Sequence, residues 1–370
     1  MLGQLLFFLC LIFLTNLSKA FAFPEMVRHG YVNCTTCHVS PSGGGAMTPY
    51  GRSLSKEILS TWSYEGEENV LHGAVTTPEW LMLGGDIRYV QTYLETPVIK
   101  QGDFFMMNAD AEVAVQVGQW VASVTAGVEG GPATVSQRGQ FISRRHYLNY
   151  RPTDEISVRA GKFLAQYGVN QPNHTIVTER GLQFDQGSET YNLELAYMGE
   201  NYDSFLTVIT GRPDDPRFDP EKGMSWTVSK NFLERMKVGL SYYRGESNQA
   251  RRMLVGPYAV LGITKDLFLL SEMDYQVKDF KSSVTAQTKG LVSYHRLNYE
   301  FHQGMIGYLV HQLSYLNFDV GRSRNDSMGV GIQFFPRPHF EFQVEYYKQR
   351  TLQAFDRYYD VGYAILHYYL

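Results

Sequence analysis

Cys34-Thr35-Thr36-Cys37-His38 has the Cys-x-x-Cys-His spacing at which two thiols add to the vinyl groups of a haem while the following histidine ligates its iron. One-electron transfer is the chemistry of such a site. The chain has 3 cysteines, and the third, Cys10, lies in a segment expected to be removed on maturation. Other uses of the pair are a redox dithiol, a disulfide or part of a zinc site. A thioredoxin-like dithiol opens a helix in a βαβ unit, and neither Asn33 nor Pro41-Ser42-Gly43-Gly44-Gly45 offers that setting. Zinc needs further Cys or His at close spacing, which the sequence does not supply. The motif therefore reads as one covalently bound haem c on Cys34, Cys37 and His38.

His38 is the expected proximal iron ligand through its neutral imidazole, and the sixth position is sought among His29, Met47, Met26 and His72. His29 is the first candidate and Met47 the second, with five-coordinate iron as the alternative. Arg28 and Arg52 are candidates for the haem propionates, because a guanidinium suits bidentate carboxylate binding; solvated surface charge is the plainer reading of both. Gly43 to Gly45 would let backbone pass close to a haem face, or simply form a flexible loop. Thr48 to Arg52 reads as a turn, followed by a short amphipathic helix carrying Leu54, Ile58 and Leu59 before Trp62. A unit spanning only residues 23–78 is too short to build a sufficient core without a staple, and a covalent cofactor is one.

The elements around this unit place it outside the cytoplasm. Residues 1–22 read as a cleaved signal peptide, with an apolar core from Leu5 to Leu17 and the small-x-small pattern Ala20-Phe21-Ala22. That core falls short of the roughly 20 apolar residues of a membrane-spanning helix. Its n-region is atypical, with no Lys or Arg before Lys19. Export agrees with the haem reading, since c-type haem is attached where disulfides are also favoured.

The 370 residues include 26 Tyr and 22 Phe, an aromatic share of 14%, at a mean hydropathy of -0.26. No second long apolar run exists, which excludes a helical membrane protein, while transmembrane β-barrels carry aromatic girdles at both lipid interfaces. A formal charge of -4 leaves no footprint for nucleic acid. From about residue 80 onward, apolar and polar residues alternate with period two. Ala109, Ala111, Val113, Val115 and Val117 alternate with Asp110, Glu112 and Gln116. Tyr191, Leu193, Leu195 and Tyr197 alternate with Asn192 and Glu194, and Phe340, Phe342, Val344 and Tyr346 with Glu341, Gln343 and Glu345. A soluble sandwich shows such alternation too, but the connections alternate between short and long, as in outer-membrane barrels. Short turns are expected at 118–119, 151–154, 200–202, 233–234, 264–265, 302–303 and 336–338. Longer loops are expected near 95–102, 130–138, 164–189, 212–223, 245–250, 277–287, 317–324 and 351–357. The count predicts an all-β chain: a transmembrane antiparallel barrel of about 16 strands over residues 79–370, preceded by the small N-terminal haem domain. A closing strand runs from Tyr363 to the terminal Tyr368-Tyr369-Leu370.

Phe23-Pro24 through His38, followed by Pro49-Tyr50-Gly51-Arg52, resembles the N-terminal module of the outer-membrane cytochrome–porin fusion family, in which a monohaem c-type cytochrome domain precedes a porin barrel. The resemblance rests on a short, specific motif and on barrel architecture, and Ser42-Gly43-Gly44-Gly45 is an insertion relative to the family. It implies a Gram-negative outer-membrane location, with the haem domain periplasmic or within the lumen. It further implies electrons passing from extracellular ferrous iron, or another metal ion or mineral, to periplasmic electron carriers.

An apolar band of such a barrel is about 25 Å tall, so an electron conduit requires the haem unit to enter the lumen. The competing expectation is a diffusion porin for small solutes with a haem-containing gate or sensor. Its main feature is the segment Leu164 to Glu189, with Gln166-Tyr167-Gly168, His174, Glu179, Arg180 and Asp185, which folds inward as a charged constriction or outward as a mobile loop. A third expectation hands electrons to a separate multihaem partner. No catalytic constellation stands out, and oxidation of a metal ion is the only enzymatic activity that the residues leave open.

Overall fold

The computed structural model describes residues 24–132, 138–171, 173, 175–214, 219–281 and 287–370. The expected signal peptide and His174 lie outside the described residues. Sixteen long strands follow one another: β1 (Leu81–Glu95), β2 (Phe104–Val117), β3 (Trp120–Glu129), β4 (Phe141–Tyr150), β5 (Ile156–Phe163), β6 (Thr190–Met198), β7 (Tyr202–Gly211), β8 (Lys222–Phe232), β9 (Met236–Glu246), β10 (Ala250–Gly262), β11 (Leu267–Phe280), β12 (Gln287–His302), β13 (Met305–Tyr315), β14 (Arg324–Phe334), β15 (Phe340–Thr351) and β16 (Tyr359–Tyr369). Lys100–Gln101 adds a two-residue ladder beside the end of β1. Each strand pairs antiparallel with its sequence neighbour, and β16 returns to β1 in register from Asp86↔Tyr369 to Glu95↔Asp360. The sheet closes on itself, so no strand presents an unpaired edge.

Period two sets the faces, and the apolar set faces outward. Leu193 and Leu195 are each 52% exposed, whereas Glu194 between them is 1% exposed. Phe342, Val344 and Tyr346 are likewise exposed, with Glu341, Gln343 and Glu345 buried in the lumen. Such inversion is unfavourable in water and favourable in lipid, where the outer surface meets hydrocarbon. Exposed Trp120, Tyr202, Tyr299 and Phe301 gather at the short-turn end, and exposed Phe104, Phe141, Phe318 and Tyr358 at the other, as two interfacial girdles.

Several buried charges of the lumen stand in pairs, which offsets their desolvation. Arg159 meets Glu194 at 2.7 Å, Arg144 meets Asp110 at 2.8 Å, and Arg252 meets Glu221 at 2.7 Å.

Two segments fill this polar interior from opposite ends. Residues 24–80 enter from the short-turn end as a plug, with 3₁₀ turns at Pro24–His29 and Cys34–Thr36, helix α1 (Pro49–Leu54) and a wider turn over Ser55–Leu59. A small cluster of Tyr31, Cys34, Cys37, Leu54 and Ile58 is the plug's own, but Met26, Val27 and Leu59 share one core with wall residues such as Phe268, Ile306 and Phe335. Arg28 fastens the plug: its Nη1 lies 2.6 Å from Glu300, donates to the Lys265 carbonyl at 2.7 Å, and its guanidinium sits over the Phe268 ring. From the long-loop end, residues 164–189 fold inward. The Gln166 carbonyl accepts from Ser225 and Thr227, the Val169 amide donates to Glu272, and Asn170 Nδ2 donates to the Ser42 carbonyl of the plug.

Two local expectations change. Thr48 to Arg52 is not a free turn but the start of α1, because Thr48 caps the Gly51 amide at 3.1 Å and Pro49 occupies the first helical position. The connection expected over 245–250 shortens to residues 247–249, since Glu246 and Arg251 are paired in register and extend the hairpin with a 3.0 Å ion pair.

Glu300→Ala leaves the Arg28 guanidinium buried without its carboxylate, a change that costs about 3–5 kcal/mol for pairs of this kind. We expect limited proteolysis to cleave within residues 24–80 at least tenfold faster in this variant while the barrel stays intact; an unchanged digestion rate would show that the pair does not anchor the plug.

Candidate cofactor site in the lumen

The Cys34–Thr36 turn winds the motif tightly, with the Cys37 and His38 amides both donating to the Cys34 carbonyl at 3.2 and 2.9 Å. Thr48 ties this turn to α1. Its hydroxyl donates to the Thr36 carbonyl at 2.7 Å while accepting from Gly51, and its amide donates to the Cys37 carbonyl at 2.8 Å. Gly51 lets α1 press against the motif, since a Cβ there would stand 2.4 Å from the Cys37 carbonyl oxygen. The chain then reverses through Ser40 to Ala46, and His38 pairs with Met47 in an isolated antiparallel bridge.

This reversal lies against the barrel wall. Gly45 has φ +72°, and a Cβ on it would stand 2.6 Å from a carboxylate oxygen of Glu112. A cavity of about 200 Å³ opens between plug, wall and inward loop, lined from the plug by Cys34, His38, Gly43 to Gly45 and Met47. The wall contributes Arg88, Glu112, Arg145, Lys237 and His367 among others, and the inward loop contributes Gln166 and Gly168 to Asn170. Cys34 and Cys37 are free thiols. Burial pushes the Cys34 thiol up to about 11, against the pull of Lys237.

The residues fit a c-type haem in donor set: two thiols and a buried imidazole on one turn, two of the three facing the cavity. Among the described residues, no group of three or more His, Cys, Asp or Glu is placed to hold a metal ion unaided; a porphyrin supplies four ring nitrogens itself and asks the protein for axial ligands only.

The sixth-ligand candidates separate. Met47 lines the cavity with His38. As direct partners in that bridge, the two stand about 5 Å apart on one face. His29 sits instead by the turn holding Lys265 and Asp266. Burial, assisted by Arg28, pushes its pKa down to about 4, and its buried Nε2 has no hydrogen-bond partner. Its imidazole is neutral at neutral pH, but it does not line the cavity. Met26 is buried in the shared core, and His72 lies at the rim against His339 and Phe340. Neither arginine faces the cavity: Arg28 is engaged by Glu300, and Arg52 donates to the Met47 carbonyl at 3.0 Å.

The wall residues are absent from the sequence reading, which saw them only as the polar half of an alternation. His367 is the clearest. Its Nδ1 lies 2.7 Å from Glu341 and its Nε2 3.0 Å from Asp86.

The segment 164–189 takes the inward course. Tyr167 donates to Asp274 at 2.8 Å and stacks on Phe184, with ring centroids 4.4 Å apart. A second cavity, of about 290 Å³, lies on the long-loop side of this segment, against Phe184, Arg212, Glu221 and Tyr243.

The chain matches no protein-family model and no curated relative. Its fold is similar to that of solved outer-membrane barrels. A loop-L8 deletion mutant of OmpT, an outer membrane protein of Vibrio cholerae, is 13% identical at TM-score 0.61, over 78% of this chain and 99% of that one. The outer membrane channel DcaP of Acinetobacter baumannii is 9% identical at TM-score 0.55, over 78% and 97%. Pseudomonas putida OprB is 8% identical at TM-score 0.59, over 78% and 94%. The fold is thus that of a porin-like outer-membrane barrel.

Burial holds the Glu179 carboxyl of the inward loop well above the usual carboxylate range. A carboxyl raised on folding costs stability once the unfolded form ionises, so its contribution is complete below about pH 4.5 and lost as pH rises toward the folded value. Glu179→Gln should remove this pH dependence and slow proteolysis of the 164–189 segment at pH 8; a variant that keeps the wild-type pH profile would locate the titration elsewhere.

Proposed function

We propose that this chain is an outer-membrane barrel whose lumenal plug carries one covalently bound haem c and exchanges electrons between an extracellular donor or acceptor and periplasmic carriers. The observation that carries the reading is the position of Cys34 and His38, inside the barrel and facing a cavity that extends up the wall to Glu112 and Arg145. When bound, the haem supplies a one-electron ferric/ferrous couple. Cys34 and Cys37 anchor it, and His38 ligates its iron. Thr48 and Gly51 hold the turn that presents all three, and the plug and inward loop keep bulk water from the seat.

A second reading, a solute pore gated by the plug, is favoured by the channel-like fold and by the inward segment, a placement suited to a constriction. Reconstitution in liposomes separates the two. With an external reductant and an enclosed acceptor, the conduit reduces the acceptor without leakage of small solutes. Free solute flux past a haem that external reductant cannot reach establishes the pore.

The mature protein should carry a haem mass increment that survives denaturation, and Cys34→Ser with Cys37→Ser should abolish it while the barrel still assembles. A wild-type mass equal to that of the bare polypeptide would overturn the haem reading.

A further inference from the structure

The charge of the molecule is unevenly placed. Residues 48–80 and the seven short turns together carry ten Asp and Glu against six Lys and Arg, an excess equal to the formal charge of the entire chain. Among the described residues of the long connections, leaving aside the inward 164–189 segment, six acidic side chains face six basic ones. Three of the six basic groups of the short-turn face are engaged, while Arg235 and Lys265 are exposed. Arg52 is buried beneath Met47, Arg151 donates to the Val39 carbonyl inside the lumen, and Arg337 is held by Glu67 at 2.7 Å. Glu57, Glu65, Glu155, Glu200 and Glu234 are exposed.

An aromatic contact joins this face to the candidate haem seat. Tyr50, 46% exposed, is hydrogen-bonded to Tyr31, which lines the cavity. Trp62 and Tyr64 are also exposed but are engaged by the rim, Trp62 edge-on to Phe334 and Tyr64 beneath Arg337. Acidic clefts and faces raise the local concentration of cationic partners and speed their association by about 10–10³-fold, and weak redox encounters bury little area and depend on such steering.

We infer that the short-turn face is the docking surface for a small, soluble, basic electron-carrier protein, seated over Tyr50 and ringed by Glu57, Glu65, Glu155 and Glu234. This rests on the electron-exchange reading, and it commits to a cationic partner.

The test uses the full mature protein in nanodiscs of zwitterionic lipid. Binding is measured with both partners oxidised, so that no turnover is needed. The basic probe is a small c-type cytochrome with a lysine-ringed haem edge, and the acidic probe is a flavodoxin. The association rate with the basic probe should fall at least tenfold between low and physiological ionic strength. It should fall about tenfold at low salt in the combined variant Glu57→Gln, Glu65→Gln, Glu155→Gln and Glu234→Gln. The control pair Asp319→Asn and Asp356→Asn on the long-loop side should leave it unchanged, and the flavodoxin should not bind. Salt-independent association, equal binding of the acidic probe, or an equal loss in the control pair would each overturn the inference. Loss of the parent reading shows differently, as a mature protein without the haem mass increment.

Discussion

The bilayer offers no water to a backbone amide or carbonyl, and everything else in this structure follows from satisfying those groups within the chain. Closing β16 onto β1 pairs both free edges, at the cost of a lumen that a sixteen-stranded barrel cannot fill with wall side chains alone. The wall turns Leu193, Val344 and their like toward lipid and Glu194, Glu345 and theirs inward. Without partners those carboxylates would be prohibitively buried, so the interior becomes a lattice of ion pairs and hydrogen bonds. The plug and the inward segment occupy what remains.

That lattice determines what the plug can be. Its attachments reach around much of the circumference: Arg28 to β12, Lys237 of β9 to the Val32 carbonyl, Arg159 of β5 to Ser40 and Ser42, and Ser55 to Tyr369 of β16. Each is a polar contact that a hydrophobic domain core would not need. The Cys-x-x-Cys-His turn is therefore positioned by the barrel as much as by its own neighbours.

Most of the wall was legible before the fold was known. Period-two alternation fixes faces, and residues such as Gly118-Gln119 and Pro336-Arg337-Pro338 mark turns by local chemistry alone, so the seven short turns and seven of the eight longer connections are recovered in their order, the β9–β10 connection closing to 247–249. The site was legible only where chemistry is local. Cys34, Cys37 and His38 declare themselves by spacing, but Met47 beside His38, and Glu112 against Gly45, are products of a reversal and a threading that no spacing encodes. The sequence does not decide between His29 and Met47, and the separation of His29 from the cavity is a matter of where Arg28 fastens the chain. The start of α1 was there to be read in Thr48-Pro49, where a capping hydroxyl precedes a proline suited to the first helical turn.

Alternation also governs the journey such a chain makes before it folds. No helix among the described residues is long and apolar enough to cross a membrane, because every second wall position carries a residue such as Glu112, Glu194 or Glu345. A translocon arrests hydrophobic stretches of about 20 residues, and the wall strands offer none. The same spacing that splits the wall into a greasy exterior and a wet interior thus also keeps every stretch of it short of a membrane-spanning apolar run.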